Sequence, residues 1–198
     1  KVTSYLISGD GKKVAYKNFD EALYLYDFKD TQKISDNIIM FRLSKDGNRL
    51  LYVTKDYKLY IKDKDSKANL INDNIYKNNV SQAVFSDDEN LTTVFFFEER
   101  PEADYDNPPE KIEYGYPLYI CKDGKTAKLI TKNAMSTFDS CFFENDQLYY
   151  VTVDDIEYYE YSDCIVNDMG EAGEEKYNSY SHSGTKVSYN SLWYYNGN

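Results

Sequence analysis

The chain has 198 residues, of which 41% are hydrophobic, and its formal net charge is −11. A chain of this length can bury a hydrophobic core, so we expect one domain over residues 1–198. The acidic charge and the presence of only three arginines disfavour a nucleic-acid ligand. No apolar run approaches the roughly 20 residues of a membrane-spanning helix, so no such span is predicted.

One pattern of strands and turns recurs along the chain. Each copy consists of a short apolar strand, a polar turn, two strands rich in tyrosine, and a closing strand. The turns of the first three copies begin at Ser8, Ser44 and Ser86, so the copies are 36 and 42 residues apart. Four-stranded propeller blades repeat at roughly 40 residues. The recurrence therefore predicts an all-β propeller of four-stranded antiparallel blades, with four blades and part of a fifth.

The predicted repeats follow one another in chain order. Their bounds are about 1–37, 38–79, 80–134 and 135–168, followed by a partial copy over 177–198. The innermost strands of the four full repeats are predicted near 3–8, 38–44, 81–86 and 138–143. No segment shows sustained helical periodicity, so no helix is predicted.

The fourth repeat lacks the serine of the turn and is assigned from its strand pattern. Its second, third and fourth strands are predicted at 148–151, 156–159 and 164–166. In an alternative assignment, the segment 192–195 supplies the third strand instead of belonging to a fifth repeat. Either assignment leaves an acidic segment between the second and third strands.

The first two repeats carry a recognisable motif. A serine, an aspartate and a glycine (Ser8, Asp10 and Gly11 in the first copy) precede an apolar strand that ends in tyrosine, and a Leu-Tyr strand follows. This pattern resembles the TolB-like or PD40-type (WD40-like) β-propeller repeat, which also occurs in tricorn and prolyl-oligopeptidase propellers. The resemblance implies a propeller of roughly six to eight blades. It implies no single function, because such blades serve in periplasmic adaptors, peptidase gates and surface lipoproteins.

Two segments hold the negative charge of the chain. Residues 98–113 carry seven acids against two basic residues, a net charge of −5. Residues 154–176 carry nine acids against one lysine, a net charge of −8. The rest of the chain therefore sums to +2, so the predicted blades are nearly neutral.

Both acidic segments are predicted to leave one face of the propeller. Within a blade, the link from the second to the third strand and the link into the next blade start from the same side. The insertion 98–116 and the Asp154–Asp155 pair are both assigned as second-to-third links. We therefore predict a partner-binding surface that consists of Glu98, Glu99, Glu102, Asp104, Tyr105, Asp106, Tyr114, Tyr116, Asp154 and Asp155. The alternative is a solvated insertion that only keeps the protein soluble.

The sequence has few residues or motifs that are typical of catalysis or of cofactor binding. His182 is the only histidine, and the Gly-x-Ser-x-Gly motif of hydrolases is absent. Cys121, Cys141 and Cys164 are too scattered for a zinc site or a disulfide framework. No cofactor is therefore expected, and a weak Ca²⁺ site among the acidic loops is the alternative that stays open.

These observations predict a non-enzymatic binding or scaffold module with a cationic protein or peptide as its partner. The resemblance adds an extracytoplasmic location in a bacterium, either anchored at the surface or secreted. One alternative is the gating propeller of a peptidase whose catalytic domain lies outside this chain, and another is a polysaccharide-degrading propeller. Unpaired strands at the two ends of the array predict one of two things: the chain is a fragment of a larger propeller, or copies of it associate edge to edge.

Overall fold

A computed structural model describes residues 1–64, 66–86, 88–100, 115–136, 141–144, 147–160, 164–169, 175–181 and 184–195. Antiparallel strands dominate these residues, which confirms the all-β prediction. The sheets succeed one another along the chain and curl into a half-barrel.

The first two sheets are four-stranded meanders in which each strand pairs with the next one along the chain. Their strands are β1 (Val2–Ile7), β2 (Val14–Asn18), β3 (Leu23–Tyr26), β4 (Thr31–Ser35), β5 (Ile38–Leu43), β6 (Arg49–Thr54), β7 (Leu59–Asp63) and β8 (Asn69–Asn72). The predicted innermost strands of these two repeats match β1 and β5 to within a residue or so.

The strands of the third repeat follow the same order but begin with a helical turn, and the pair Ala134↔Thr152 joins them to the strands of the fourth repeat in one seven-stranded sheet. The elements of the third repeat are α1 (Val80–Ala83), β9 (Val84–Ser86), β10 (Thr93–Phe97), β11 (Tyr116–Lys122) and β12 (Lys128–Ala134). The innermost strand was predicted from residue 81, but it begins at Val84. In the helical turn, the Ala83 N–H donates to the Asn79 carbonyl at 2.8 Å. The side chains of Val80 and Ala83 are buried.

The fourth repeat differs from its predicted strand order. Its elements are β13 (Cys141–Glu144), β14 (Gln147–Glu160), β15 (Cys164–Met169), β16 (Glu175–Ser181) and β17 (Gly184–Tyr195). β14 pairs with β17 from Leu148↔Tyr195 to Glu160↔Gly184, and β15 pairs only with β16. The assignment of 156–159 and 164–166 as third and fourth strands was therefore wrong. The segment 192–195 is the third strand, as the alternative assignment had it.

The partial fifth repeat over 177–198 is corrected by the same pairing. Its last strand pairs with β14, and within this pair residues 155–160 lie opposite 184–189, while β15 and β16 pair with each other. The pair Asp154–Asp155 lies at a bulge inside β14 instead of in a loop. A bulge absorbs one extra residue while the ladder continues, so the backbone groups beyond it keep their partners.

The core lies between stacked sheets. Leu50 and Tyr52 face the first sheet, where they join a buried cluster with Ala15 and Leu23. The alternate residues of β6, such as Leu51, belong to a second cluster with the third sheet. Both faces of this strand are therefore covered, which explains its continuous apolar sequence.

The turns between the first and second strands share one hydrogen-bond pattern. The Ser44 hydroxyl donates to Asp46 Oδ1 at 2.6 Å and accepts the Arg49 N–H at 2.8 Å. The Ser8 hydroxyl makes the corresponding bonds to Asp10 and from Lys13 at 2.7 and 3.0 Å. The recurring Ser-x-Asp-Gly motif is thus a repeated turn closure.

Candidate functional site

One edge of the sheet array is the origin of both acidic segments. Tyr116 at the start of β11 pairs with Ala134 at the end of β12, and Ala134 pairs with Thr152 of β14. The insertion after β10 leaves from this edge, and β14 passes it and continues to Glu160. We call this edge the link face. That both acidic segments share a face stays a prediction, since most of their residues lie outside the described part of the chain.

Two of the predicted acids hold the base of the insertion in place. The Asn72 side-chain amide donates to Glu98 Oε1 at 3.1 Å, and the Lys77 N–H donates to Glu99 Oε2 at 3.0 Å. The Glu99 N–H also donates to the Asn74 carbonyl at 2.7 Å. Both carboxylates therefore tie the insertion to the link between the second and third sheets.

A tyrosine behind this base supports Glu98 as well. The Tyr119 ring stacks on Phe96 with centroids 5.3 Å apart. Burial, together with a hydrogen bond to the Glu98 carboxylate, raises the pKa of Tyr119 to about 12. The phenol is thus held in its protonated form, in which it donates to Glu98.

Tyr116 belongs to an aromatic cluster on the link face. Its ring lies 4.4 Å from that of Tyr76, and the Arg100 guanidinium lies 5.5 Å from the Tyr116 centroid. Burial and the hydrogen bond to Tyr76 raise the pKa of Tyr116. Burial alone would raise the pKa of Tyr76, but hydrogen bonds with Ser136 and Asn78 outweigh it and lower that pKa. The cluster therefore joins Tyr76, Tyr116 and Ser136, which come from three different links.

The remaining predicted residues are not brought into this network by the described structure. Asp154 and Asp155 lie in β14, beyond the point where it crosses the link face. The others lie outside the described residues: Glu102, Asp104, Tyr105, Asp106 and Tyr114. The binding role of all these residues stays a prediction.

A cavity of about 610 Å³ lies beside the aromatic cluster, and sequence reasoning did not find it. Its lining comes from three innermost strands, which contribute Arg42, Phe85 and Phe143, from α1, and from Phe97 of β10 and Ser136. The Arg42 guanidinium donates to the Val84 carbonyl at 3.1 Å, and burial lowers its pKa. The sequence feature that could have indicated this cavity is Arg42, an arginine within the otherwise apolar strand Ile38–Leu43.

The described residues offer no evident metal centre. Among them, no group of three or more His, Cys, Asp or Glu side chains is arranged to hold a metal ion. Cys121 and Cys141 are not in a disulfide, and the buried Cys121 Sγ donates to the Lys125 carbonyl at 2.9 Å. Burial raises the pKa of the Cys121 thiol to about 11. No helix in the described part of the chain has the length and apolarity to span a membrane.

Comparisons with known proteins identify the fold. No protein-family model matches the chain, and no curated protein matches it in sequence. The tricorn protease superimposes with a TM-score of 0.54 and 12% identity, over 84% of this chain and 16% of that one. The chain has a β-propeller fold. At this identity the likeness shows the fold alone.

Two further structures show weaker likenesses. The propeller domain of the Trilobed protease from Pyrococcus furiosus has a TM-score of 0.47 and 17% identity, over 76% of this chain and 49% of that one. The acylaminoacyl peptidase of Pyrococcus horikoshii has a TM-score of 0.45 and 16% identity, over 75% and 28%. The chain thus spans half or less of the length of each of these proteins.

Proposed function

We propose that this propeller is a non-enzymatic binding or scaffold module of the TolB-like, PD40-type kind, and that its link face binds a cationic protein or peptide. The observation that supports the proposal most is the register of Tyr116, Ala134 and Thr152, which gives the two acidic segments a common origin. Together these segments carry a charge of −13, against +2 for the rest of the chain. The extracytoplasmic, bacterial location is proposed from the repeat resemblance.

The described geometry suggests that the acidic residues of the link face have two different roles. Glu98 and Glu99 already accept hydrogen bonds from Asn72 and Lys77, so we assign them the role of orienting the insertion. The carboxylates for the partner then come from residues farther along the two segments: Glu102, Asp104, Asp106, Asp154 and Asp155. Their field reaches about 8 Å at physiological ionic strength, so it would mainly speed association.

Aromatic side chains provide the anchors in this proposal. Exposed ion pairs contribute little individually, whereas tyrosines are frequent hot spots of binding. The Tyr116 ring is held by its contacts with Tyr76 and Arg100. A ring that is already ordered loses little conformational entropy on binding. We expect Tyr105, Tyr114 and Tyr116 to carry most of the affinity.

The experiment uses a fluorescent lysine-rich peptide and measures its anisotropy at low and high ionic strength. The test variant carries Asp154→Asn and Asp155→Asn. Its matched control carries Asp30→Asn and Glu89→Gln, which remove the same charge from turns on the opposite edge. We expect weaker binding by the test variant only, and weaker binding by every protein at high salt. An equal loss in both variants would show that only net charge matters.

A second measurement addresses the natural partner. The protein and a variant with Tyr105, Tyr114 and Tyr116 changed to alanine are used to capture proteins from the native extract. We expect the variant to lose partners that the unaltered protein retains at low salt. If both proteins recovered the same partners at every salt concentration, the insertion would be only a solvated loop.

The alternative of a peptidase propeller receives no separate support from the comparisons. The tricorn likeness concerns the fold, and this chain covers 16% of that protein. It therefore carries neither a catalytic activity nor a substrate over to this chain.

A further inference from the structure

An arginine in the second repeat departs from the repeated pattern. Counted back from the serine of each turn, Arg42 occupies the position that is Leu6 in the first repeat and Val84 in the third. The blade therefore does not require a charged residue at this position. Departures from a pattern that otherwise specifies the fold are expected at functional or strained sites.

One nitrogen of the Arg42 guanidinium is held by the helical turn α1. The Nη2 atom donates to the Val84 carbonyl at 3.1 Å and to the Ser81 carbonyl at 3.4 Å. These carbonyls lie at the end of α1, where a helix leaves its carbonyls without partners of its own. The two bonds orient the side chain but use only Nη2. Within the described part of the chain, Nε and Nη1 have no hydrogen-bond partner, and no carboxylate pairs with Arg42.

The burial of this guanidinium favours an anion beside it. Burial lowers the pKa of Arg42, but an arginine still carries its positive charge at neutral pH. Removing a charge from water is costly unless an opposite charge and hydrogen bonds compensate. The two backbone carbonyls supply hydrogen bonds but no negative charge. An anion that accepts from Nε or Nη1 would supply both.

The cavity of about 610 Å³ beside Arg42 provides room for such an anion. Pockets for small organic ligands commonly measure roughly 300–1,000 Å³. Arg42 is the one charged side chain in the described lining, so no described carboxylate there competes for it. The half-buried Gln82 belongs to the same lining and offers an amide donor. A guanidinium and an amide together favour a carboxylate, which accepts hydrogen bonds at both of its oxygens.

Aromatic rings form the apolar part of this lining. Phe85 stacks on Phe95 with centroids 5.6 Å apart, and Phe143 lies 6.0 Å from Phe85 and 5.4 Å from Phe95. The Phe97 ring also lies 6.0 Å from that of Phe85. Phe95 and Phe97 are buried in the core, so these contacts hold the rings in place. A preformed aromatic wall fits a flat apolar body, because few side chains must be ordered on binding.

We propose that this cavity binds a small aromatic carboxylate, with its carboxylate at the Arg42 guanidinium and its ring against Phe85, Phe97 and Phe143. In this arrangement the Gln82 amide donates a second hydrogen bond to the carboxylate. All of the described lining lies between residues 42 and 143. No residue predicted for the partner-binding surface belongs to it, so this inference does not rest on the proposed function.

The test compares 2-naphthoate with 2-naphthamide, which has the same rings but no charge, by isothermal titration calorimetry. We expect the unaltered chain to bind 2-naphthoate at least about tenfold more tightly, because only the carboxylate forms a charge-assisted hydrogen bond. Arg42→Met removes the guanidinium and should bind both compounds equally. Arg42→Lys keeps the charge without the planar guanidinium and should retain part of the preference.

The matched control is Arg49→Met, which removes the same charge from an arginine that is already paired with Asp63 at 2.7 Å. This variant should keep the preference for 2-naphthoate. Gln82→Trp places a bulky side chain in the lining and should weaken the binding of both compounds about tenfold. Circular dichroism and urea denaturation verify that each variant is folded, since Arg42 also supports α1.

A direct measurement on the unaltered chain avoids any effect of the variants on folding. The chain has three arginines, so their Nε–H signals are few in a proton–nitrogen NMR spectrum. 2-Naphthoate should shift the Arg42 signal and leave the Arg49 signal in place.

Four results would overturn the proposal. The first is no binding of 2-naphthoate by the unaltered chain at millimolar concentration, and the second is equal affinity for the two compounds. The third is an Arg42 Nε–H signal that stays in place when 2-naphthoate binds. The fourth is an equal loss of preference in Arg42→Met and Arg49→Met, because that would mean that only net charge matters.

Discussion

Replacing Ser44 with alanine should destabilise the second sheet, because the Ser44 hydroxyl closes its first turn. The side chain is fully buried, and its hydroxyl donates to Asp46 Oδ1 at 2.6 Å while accepting the Arg49 N–H at 2.8 Å. The alanine variant Ser44→Ala loses both bonds and leaves the Arg49 N–H without its acceptor.

The expected loss of stability follows from the two hydrogen bonds of the Ser44 hydroxyl, one to Asp46 and one from Arg49. A hydrogen bond to a charged group contributes about 1.5–3 kcal/mol, and one between neutral groups about 0.5–1.5 kcal/mol. Asp46 is exposed, which puts the charged bond at the lower end of its range. We therefore expect Ser44→Ala to lower the free energy of unfolding by about 2–3 kcal/mol. Urea denaturation followed by circular dichroism measures this value.

The pH dependence gives a second measurement of the same bond. The Ser44 hydroxyl is the main cause that lowers the pKa of Asp46 from its usual 3.8. A carboxyl with a lowered pKa contributes stability above its unfolded pKa, and this contribution is lost as pH falls through the folded value. In Ser44→Ala, the pKa of Asp46 should rise toward 3.8, as followed by NMR titration of the carboxyl carbon.

The matched control is Ser66→Ala, which removes an exposed hydroxyl that donates to the Asp63 carbonyl at 3.2 Å. This change should stay within about 0.5 kcal/mol of the unaltered chain. If Ser44→Ala costs no more than this control, or leaves the pKa of Asp46 unchanged, the role assigned to the turn is wrong.

Three further predictions concern the turns, a thiol and a phenol. Gly47→Ala should destabilise more than Gly11→Ala: both glycines have φ near +70°, but only at Gly47 would a Cβ lie 3.0 Å from the Ser8 Cβ. Urea denaturation measures the difference. Cys121 should resist alkylation at pH 8 in the folded chain, as followed by mass spectrometry, because it is buried and its pKa is about 11. Tyr119 has a pKa raised to about 12, so its contribution to stability should be complete below pH 10 and lost as pH rises toward 12.

Each of these predictions has its own control. Equal losses in the two glycine variants would mean that only the backbone conformation matters. Cys121 should react freely in denaturant, and rapid reaction of the folded chain would contradict its burial. Tyr119→Phe removes the titrating hydroxyl, so this variant should show a smaller loss of stability between pH 10 and 12 than the unaltered chain.

Local features of this protein were readable from its sequence. The Ser-x-Asp-Gly turns at Ser8 and Ser44 close through bonds that span only five residues, so the motif itself determines the turn. The spacing of these turns then predicted the sheets and their order.

The contacts of the candidate site could not be predicted from the sequence in the same way. The charge count treated Glu98 and Glu99 as available to a partner, but their carboxylates bond to Asn72 and to the Lys77 backbone. Those groups come from a different sheet, so the bonds depend on how two sheets pack. The cavity beside Arg42 was missed for the same reason, since four separate strands, a helical turn and Ser136 line it.

The sequence alone determined the repeat, the turn chemistry and the apolar alternation, because each arises from neighbouring residues and the geometry of one strand. The tertiary structure alone decided where β14 ends and which strand pairs with it. An alternating segment such as 154–160 fits a short strand after a turn or one long strand, and only its pairing with 184–189 distinguishes them. It likewise decided that Tyr52 is buried whereas Tyr16, which belongs to an equivalent stacked pair, is half-buried, because burial depends on how the sheets pack.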